Sequence, residues 1–268
     1  MLKMKSHAAI LDKTMVFVTG APRSGTSLLT KVLDAHPDMA ILMENNFGNR
    51  RRHWMKSDAW KSEKALARNV CKTFAGISEP VLGNKIGTPD VWWAEDILQF
   101  CRLFAGFRII FIVRHPADVI KSRYFREDYE SEFNDLARRN IMLDFRTRFL
   151  TYTSSWRQSI EVYRQLRDAV FRNIVCIYYD DLISGLEEEC RKLTEFLGLP
   201  YDDRMLQWHD IPHHDKNGIL RRDMKYRDEP VGKYTGLSED IPPSLDEEYE
   251  EAMASIKHEI QIYQQRKL

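Results

Sequence analysis

The sequence predicts an α/β fold, a doubly wound parallel sheet flanked by helices in a single domain, and three observations predict it. Met15 to Val18 is an apolar run that ends at Gly20, turns through polar residues and re-emerges as a helical stretch with Leu28, Leu29, Val32 and Leu33 on one side. Phe107 to Val113 is almost continuously apolar, the pattern of a parallel strand buried on both faces. Strand-like and helix-like segments then alternate along most of the chain, the order expected of βαβ units.

Taken in order, residues 1–14 read as a polar N-terminal extension with a short Ala8-Ala9-Ile10-Leu11 patch. The first helix stops at Asp34-Ala35-His36-Pro37-Asp38, because Pro37 forces the preceding residue out of helical geometry. Met39 to Met43 reads as a strand delivering Glu44; the basic cluster Arg50-Arg51-Arg52-His53 follows, then a helix from Ser57 to about Ala75. Pro80 to Lys85 reads as a short strand ending at the lysine, and Asp90 as the N-cap of a helix through Phe104. The strand at 107–113 runs into Arg114-His115-Pro116-Ala117-Asp118, with Pro116 opening a helix. Helical pattern continues to Asp168, with a break near Asp128 to Asn134, and Ile174 to Tyr178 is the next strand. Asp181 to Gly198 reads as one helix, closed by the Gly198-Leu199-Pro200 stop signal. His209 to Tyr234 is polar and without periodicity, so 209–240 is expected to be a long loop and a candidate lid. Pro242-Pro243-Ser244 opens a last helix.

With 268 residues, 43% hydrophobic and 30% charged, the chain has the composition of a globular domain. Forty basic and forty acidic residues cancel, which removes net charge as an argument for nucleic-acid or membrane partners. No apolar stretch approaches the ~20 residues needed to span a bilayer, and the N-terminus has neither the look of a signal peptide nor of an anchor. Cys71, Cys101, Cys176 and Cys190 are scattered without metal-ligand spacing, so they are expected to be reduced thiols in a cytoplasmic protein.

The stretch Gly20-Ala21-Pro22-Arg23-Ser24-Gly25-Thr26-Ser27 fits the phosphate-binding spacing G-x-x-x-x-G-K-[ST] except that Thr26 stands at the lysine position. The sheet is therefore of P-loop type, with a cation supplied from inside the loop by Arg23. ATP and GTP chemistry normally uses the missing lysine, so another phosphorylated ligand is expected. An ordinary strand-to-helix turn with an incidental arginine is the alternative. In doubly wound sheets ligands sit beyond the C-terminal strand ends. Gly20, Glu44, Lys85, Arg114 and Tyr179 all follow predicted strands, which points to one site. Arg114 with Ser122 on the following helix suits a phosphomonoester; a salt bridge from Arg114 to Asp118 is the competing reading. Two phosphate sites on one edge imply a nucleotide phosphorylated at two separate places.

At that point the chain resembles the sulfotransferases that use 3′-phosphoadenosine 5′-phosphosulfate. Ala21 to Ser27 looks like their 5′-phosphosulfate loop, and Ile112 to Ser122 like their 3′-phosphate motif, with Arg114 and Ser122 in register. Tyr179-Asp180-Asp181-Leu182 and Phe196-Leu197-Gly198-Leu199-Pro200 resemble the family's C-terminal pair of motifs. Within the family, Leu33 to Asp38 followed by Glu44, Asn84-Lys85, and Lys233-Tyr234-Thr235-Gly236 are most similar to tyrosylprotein sulfotransferases. Asn45 in place of a second Glu, Tyr234 in place of Trp, and the lack of a membrane anchor depart from that pattern.

The resemblance implies that Glu44 is the general base, that Pro22, Arg23, Ser24, Gly25, Thr26 and Ser27 hold the phosphosulfate, and that Lys85 bridges toward the leaving oxygen. Arg114 and Ser122 take the 3′-phosphate, and Lys233 closes from the long loop. Tyr179 lies near adenine or, equally well, in the core. The product would be adenosine 3′,5′-bisphosphate (PAP), and no metal is required because fixed cations meet the charge. A base needs a raised pKa, which partial burial of Glu44 would provide. Glu44 pairing with Arg50 to Arg52, and Lys85 as a solvated lysine, are the bland alternatives. His36 and His115 compete as bases, with a structural role favoured for His36. Trp92, Trp93 and Trp156 read as packing residues. The acceptor is a hydroxyl on a sugar, lipid, small molecule or peptide tyrosine; Arg50 to Arg52 either recruit an acidic acceptor or form a solvated face. A P-loop small-molecule kinase using ATP and Mg²⁺, and a non-catalytic scaffold, are the competing functions.

Overall fold

Successive side chains of a strand point to opposite faces, so an apolar strand in the middle of a sheet must feed two cores. A computed structural model, describing residues 9–45, 47, 62–88, 92–124, 145–222, 254 and 257–265, has this arrangement. Strand β1 (Thr14–Gly20) sends Met15 and Phe17 into one hydrophobic cluster and Val16 and Val18 into the other. Strand β4 (Gly106–Val113) divides in the same way, Ile109, Phe111 and Val113 against Ile110 and Ile112.

Strands β2 (Met39–Met43), β3 (Val81–Gly87) and β5 (Ile174–Tyr178) complete, among the described residues, a five-stranded sheet in the order β2-β3-β1-β4-β5. Every neighbouring pair is parallel. Helices α1 (Thr26–Asp34), α2 (Glu63–Thr73), α3 (Ala94–Cys101), α4 (Pro116–Tyr124) and α5 (Phe145–Val170) follow in chain order. After β5 come α6 (Tyr179–Ser184), α7 (Leu186–Leu197), a 3-10 segment (Asp203–Asp210), a hairpin of β6 (His213–His214) and β7 (Leu220–Arg221), and α8 (Lys257–Gln264). Leu29, Val32 and Leu33 of α1 and Leu193 of α7 pack on one face of the sheet. Ile97 and Phe100 of α3, Leu66 of α2 and Trp156 of α5 pack on the other. Phe17, Trp92 and Phe100 form its aromatic centre, with ring centroids 5.0–6.0 Å apart.

Chain order and sheet order together locate the crevice. From β1 the chain crosses to β2 on one side, and from β4 it crosses to β5 on the other. The switch point therefore lies between β1 and β4, where ligands of doubly wound sheets sit.

Several expectations need correcting. Strand β3 continues two residues past Lys85, so that lysine lies within the sheet, opposite Val18 and Met43. The helix expected through Phe104 ends at Cys101, since Leu103 and Phe104 make tight turns back to Phe100 and Cys101. The single helix expected at 181–198 is two, α6 beginning at Tyr179 and the break falling at Gly185. Gly198 caps the second in left-handed geometry, φ 72°. Helix α2 is described from Glu63, capped by the Ser62 hydroxyl accepting from Ala65 N–H at 3.2 Å. The loop expected from His209 contains the hairpin, because its anchor lies far away in sequence. Within the N-terminal segment, Ile10 and Leu11 pack half-buried against the core, and Lys13 Nζ donates to the carbonyls of Ile77, Ser78 and Glu79. Nor does Asp90 cap α3, which begins at Ala94 with Trp93 as its N-cap, the Trp93 N–H donating to Asp96 Oδ2 at 3.0 Å. The break at 128–134, Arg50 to His53, the rest of the long loop with Lys233, and the Pro242 helix start lie outside the described residues.

Candidate active site

The loop after β1 is shaped by where a Cβ cannot go. One added at Gly20 would lie 2.3 Å from the Ile112 carbonyl oxygen, so only glycine lets β1 and β4 close up there. Gly25 has φ +99° and sits against the Tyr179 ring, where a Cβ would come within 2.4 Å. Ser24 N–H donates to Ala21 at 3.0 Å, and α1 starts at Thr26 with no side chain capping its first turn. Such a helix end presents unpaired N–H groups to an anion. Pro22, Arg23 and Ser27 are half-buried at this loop, and Ser24 and Thr26 are buried.

Arg23, also at positive φ (76°), donates from Nε to the Ser122 hydroxyl at 3.1 Å. Its carbonyl accepts from Arg114 Nη1 at 3.4 Å. The structure thus brings the loop, Arg114 and Ser122 together. Arg114 is buried, its guanidinium lies 4.3 Å above the Tyr179 ring, and its Nε reaches only to 4.0 Å from Asp118 Oδ2. Two of its nitrogens, Nε and Nη2, have no hydrogen-bond partner. A buried guanidinium with unmet donors is costly unless a ligand supplies acceptors. The salt bridge to Asp118 is present at the limit of ion-pair distance and leaves those donors open. Tyr179 is a buried support beneath Arg114 rather than an open platform.

A second group forms at the ends of β2 and β3. Lys85 Nζ donates to Glu44 Oε1, with the lysine side chain 6% exposed and the carboxylate 59%. The partial burial expected for Glu44 is absent, because the turn projects it away from the strand end. Glu44 too has positive φ (63°), held by its N–H on the Lys85 carbonyl at 3.0 Å. Asn45 N–H donates to Asn84 Oδ1 and Asn84 Nδ2 to the Asn45 carbonyl, both at 3.0 Å. Arg23, Glu44 and Phe47 are, among the described residues, the positive-φ residues other than glycine. Two of them are proposed site residues, and such strain gathers at functional sites.

Sequence reasoning missed the anchor of the hairpin. Asp34, at the end of α1, accepts from Ile41 N–H and His214 N–H (2.7 Å each) and lies 2.8 Å from His214 Nδ1 and 3.4 Å from His213 Nδ1. Burial pushes the Asp34 carboxyl up, but the adjacent His213 and the hydrogen-bonded His214, the charge of His214 and the Ile41 N–H hold it below its ordinary value. Burial opposes charge on His214, yet the bond to Asp34 and the nearby carboxylates of Asp34, Glu79 and Asp215 keep it above its ordinary value. The hairpin in turn meets the base turn, its Lys216 carbonyl accepting from Asn45 Nδ2.

His36 is structural: Nε2 lies 2.8 Å from the Pro200 carbonyl and Nδ1 accepts from Asp38 N–H at 3.1 Å, so both ring nitrogens are engaged. Trp92 and Trp156 are buried, Trp156 donating to the Arg114 carbonyl at 3.1 Å, whereas Trp93 is exposed. All four cysteines are free thiols; burial pushes Cys176 and Cys190 up to about 12, which keeps them unreactive.

A family model described as "Sulfotransferase family" matches residues 15–73 and 88–203, more than half of the chain. The matched stretches contain Arg23, Glu44, Arg114, Ser122 and Tyr179 and leave out the whole of β3, Lys85 included. A protein-tyrosine sulfotransferase of Drosophila melanogaster is 26% identical over 225 residues, 78% of this chain and 42% of its own. The chain spans about half the length of the curated relatives it matches. Among solved structures, the sulfotransferase domain from the curacin biosynthetic pathway superposes with TM-score 0.57 at 19% identity, covering 91% of this chain and 97% of that one. Mouse sulfotransferase SULT7A1, solved with PAP, gives TM-score 0.51 at 15% identity, covering 94% and 88%.

Proposed function

The chain belongs to the sulfotransferase family, and from that premise we propose that it transfers a sulfuryl group from 3′-phosphoadenosine 5′-phosphosulfate to an acceptor hydroxyl. The observation that carries this reading is the buried Arg114, with two donors unmet, joined through Arg23 to Ser122 and to the phosphate loop. A nucleotide with anionic groups at its 3′ and 5′ positions satisfies both ends of that arrangement. Arg114 and Ser122 hold the 3′-phosphate; Pro22 to Ser27, with the open first turn of α1, hold the phosphosulfate.

Glu44 takes the proton of the acceptor hydroxyl as its oxygen bonds to sulfur, in line with the departing 5′-phosphate oxygen. Lys85, already bonded to Glu44, neutralises charge on that oxygen, and Arg23 does so from the loop. Lys233 closes over the donor from the long loop in the same reading. Fixed side-chain cations carry this charge, and no step is routed through a metal. The names of the curated relatives support a phenolic hydroxyl, as on a peptide tyrosine, as the first acceptor to try. The free cysteines support a cytoplasmic setting. The kinase alternative is not favoured: the family match and the threonine at the Walker lysine position both weigh against it.

Calorimetric titration with adenosine 3′,5′-bisphosphate tests the donor, and a screen of hydroxyl compounds with labelled donor tests the transfer. Binding and transfer should both persist in EDTA. Tight binding of ATP with Mg²⁺ and EDTA-sensitive phosphoryl transfer would overturn the reading.

A further inference from the structure

Helix α8, the last of the described helices, docks beside the ends of β4 and β5. Its Tyr263 is buried, and the phenol donates to Asp180 Oδ2. The ring stands edge-on to His115, with centroids 5.2 Å apart and planes at 78°, and to Tyr178 at 5.7 Å and 67°. Glu259, one turn back, pairs with Arg157 of α5.

His115 and Asp180 are the immediate neighbours of Arg114 and Tyr179, the pair in which the guanidinium rests on the ring. Tyr263 thus touches both chain junctions from which that pair projects, one after β4 and one after β5. Those strands are adjacent, Val113 lying opposite Tyr178. Resting on the donor reading above, we propose that Tyr263 is a positioning residue for recognition of the 3′-phosphate, setting the aim of Arg114 through His115 and Asp180.

The physical case is that Arg114 does not fix its own aim. One long bond from Nη1 to the Arg23 carbonyl and a 4.0 Å approach to Asp118 leave Nε and Nη2 without hydrogen-bond partners, so the ring beneath it and the backbone that carries it share in setting its orientation. Bidentate recognition of a phosphate tolerates little misplacement. A contact spanning the two junctions holds both supports at once. Burial pushes His115 below its ordinary value, with Arg114 adding to this against Asp118 and Asp180, and its ring packs edge-on to Tyr263.

Tyr263→Phe keeps the ring and removes the bond to Asp180; Asp180→Asn perturbs the same bond from the other side. The full-length chain and both variants are titrated calorimetrically with adenosine 3′,5′-bisphosphate and with adenosine 5′-phosphate, alongside thermal unfolding. Each variant should bind the bisphosphate roughly 3- to 10-fold more weakly, the effect of one lost hydrogen bond, while binding of the monophosphate stays unchanged. Equal weakening of both ligands, or no change in either, would mean that Tyr263 only docks its helix and overturns the proposal. If the unsubstituted chain shows no preference for the bisphosphate, the donor reading itself falls and takes this inference with it.

Discussion

Between β1 and β4 the groups proposed to hold the donor are fixed by backbone and burial: Gly20 against the Ile112 carbonyl, Gly25 against Tyr179, Arg114 enclosed above that ring. Around Glu44 the same job is done by polar side chains bonded to backbone, Asn84 to Asn45 and Asn45 to the Lys216 carbonyl. At Gly20 and Gly25 the proposed donor side admits no added Cβ, whereas the proposed acceptor side is a set of hydrogen bonds around an exposed carboxylate. The contrast gives the two sides separate signatures under mutation.

Glu44→Gln should have the largest effect, cutting turnover by about 10²–10⁴ while calorimetric affinity for adenosine 3′,5′-bisphosphate holds. A parallel loss of that affinity would erase the division between the sides. Arg114→Ala is the reciprocal experiment. It should cost about 1.5–3 kcal/mol of bisphosphate affinity, leaving the acceptor KM in steady-state assays untouched. Backbone and hydrogen-bond support separate next. Gly25→Ala should destabilise the fold by about 1–3 kcal/mol in urea unfolding, since it combines positive φ with a collision on Tyr179. Asn45→Ala should lose only about 0.5–1.5 kcal/mol. Equal values would mean that the acceptor turn is as tightly built as the donor loop.

The smallest effect concerns pH. His214, held above its ordinary value of about 6.5, contributes stability that is complete below that pH and is lost as pH rises through its raised native value. Asp34, held below its ordinary value, contributes above the ordinary carboxylate range and loses that contribution as pH falls through its native value. Thermal unfolding followed against pH should therefore decline on the alkaline side. His214→Gln should flatten that decline, and an unchanged slope would detach the hairpin from the pair.

The loop and junction proposed to hold the donor were largely legible in the sequence because their information is local. Gly20 to Ser27 lies within a single turn, and Arg114 and Ser122 share one strand-to-helix junction. β5 came out with the expected ends, since a run of apolar residues bounded by polar ones needs no distant partner to be recognised. The acceptor side was legible only at Glu44 and Lys85. Its support joins residues remote in the chain: Asp34 and His214 lie 180 positions apart, Asn45 and Lys216 171. A two-residue strand such as His213–His214 carries no periodicity, so the segment reads as loop until Asp34 is seen beside it.

By itself the sequence determined the alternating α/β order, the glycine turn, and the strand-to-helix junction that carries Arg114 and Ser122, because strand polarity and loop spacing follow from neighbours along the chain. Only the tertiary structure decided that Arg23 reaches Ser122, that Arg114 is buried with donors to spare, and that Tyr263 stands behind it. Those facts depend on which strands lie side by side and on what a distant helix covers, and local pattern does not encode either.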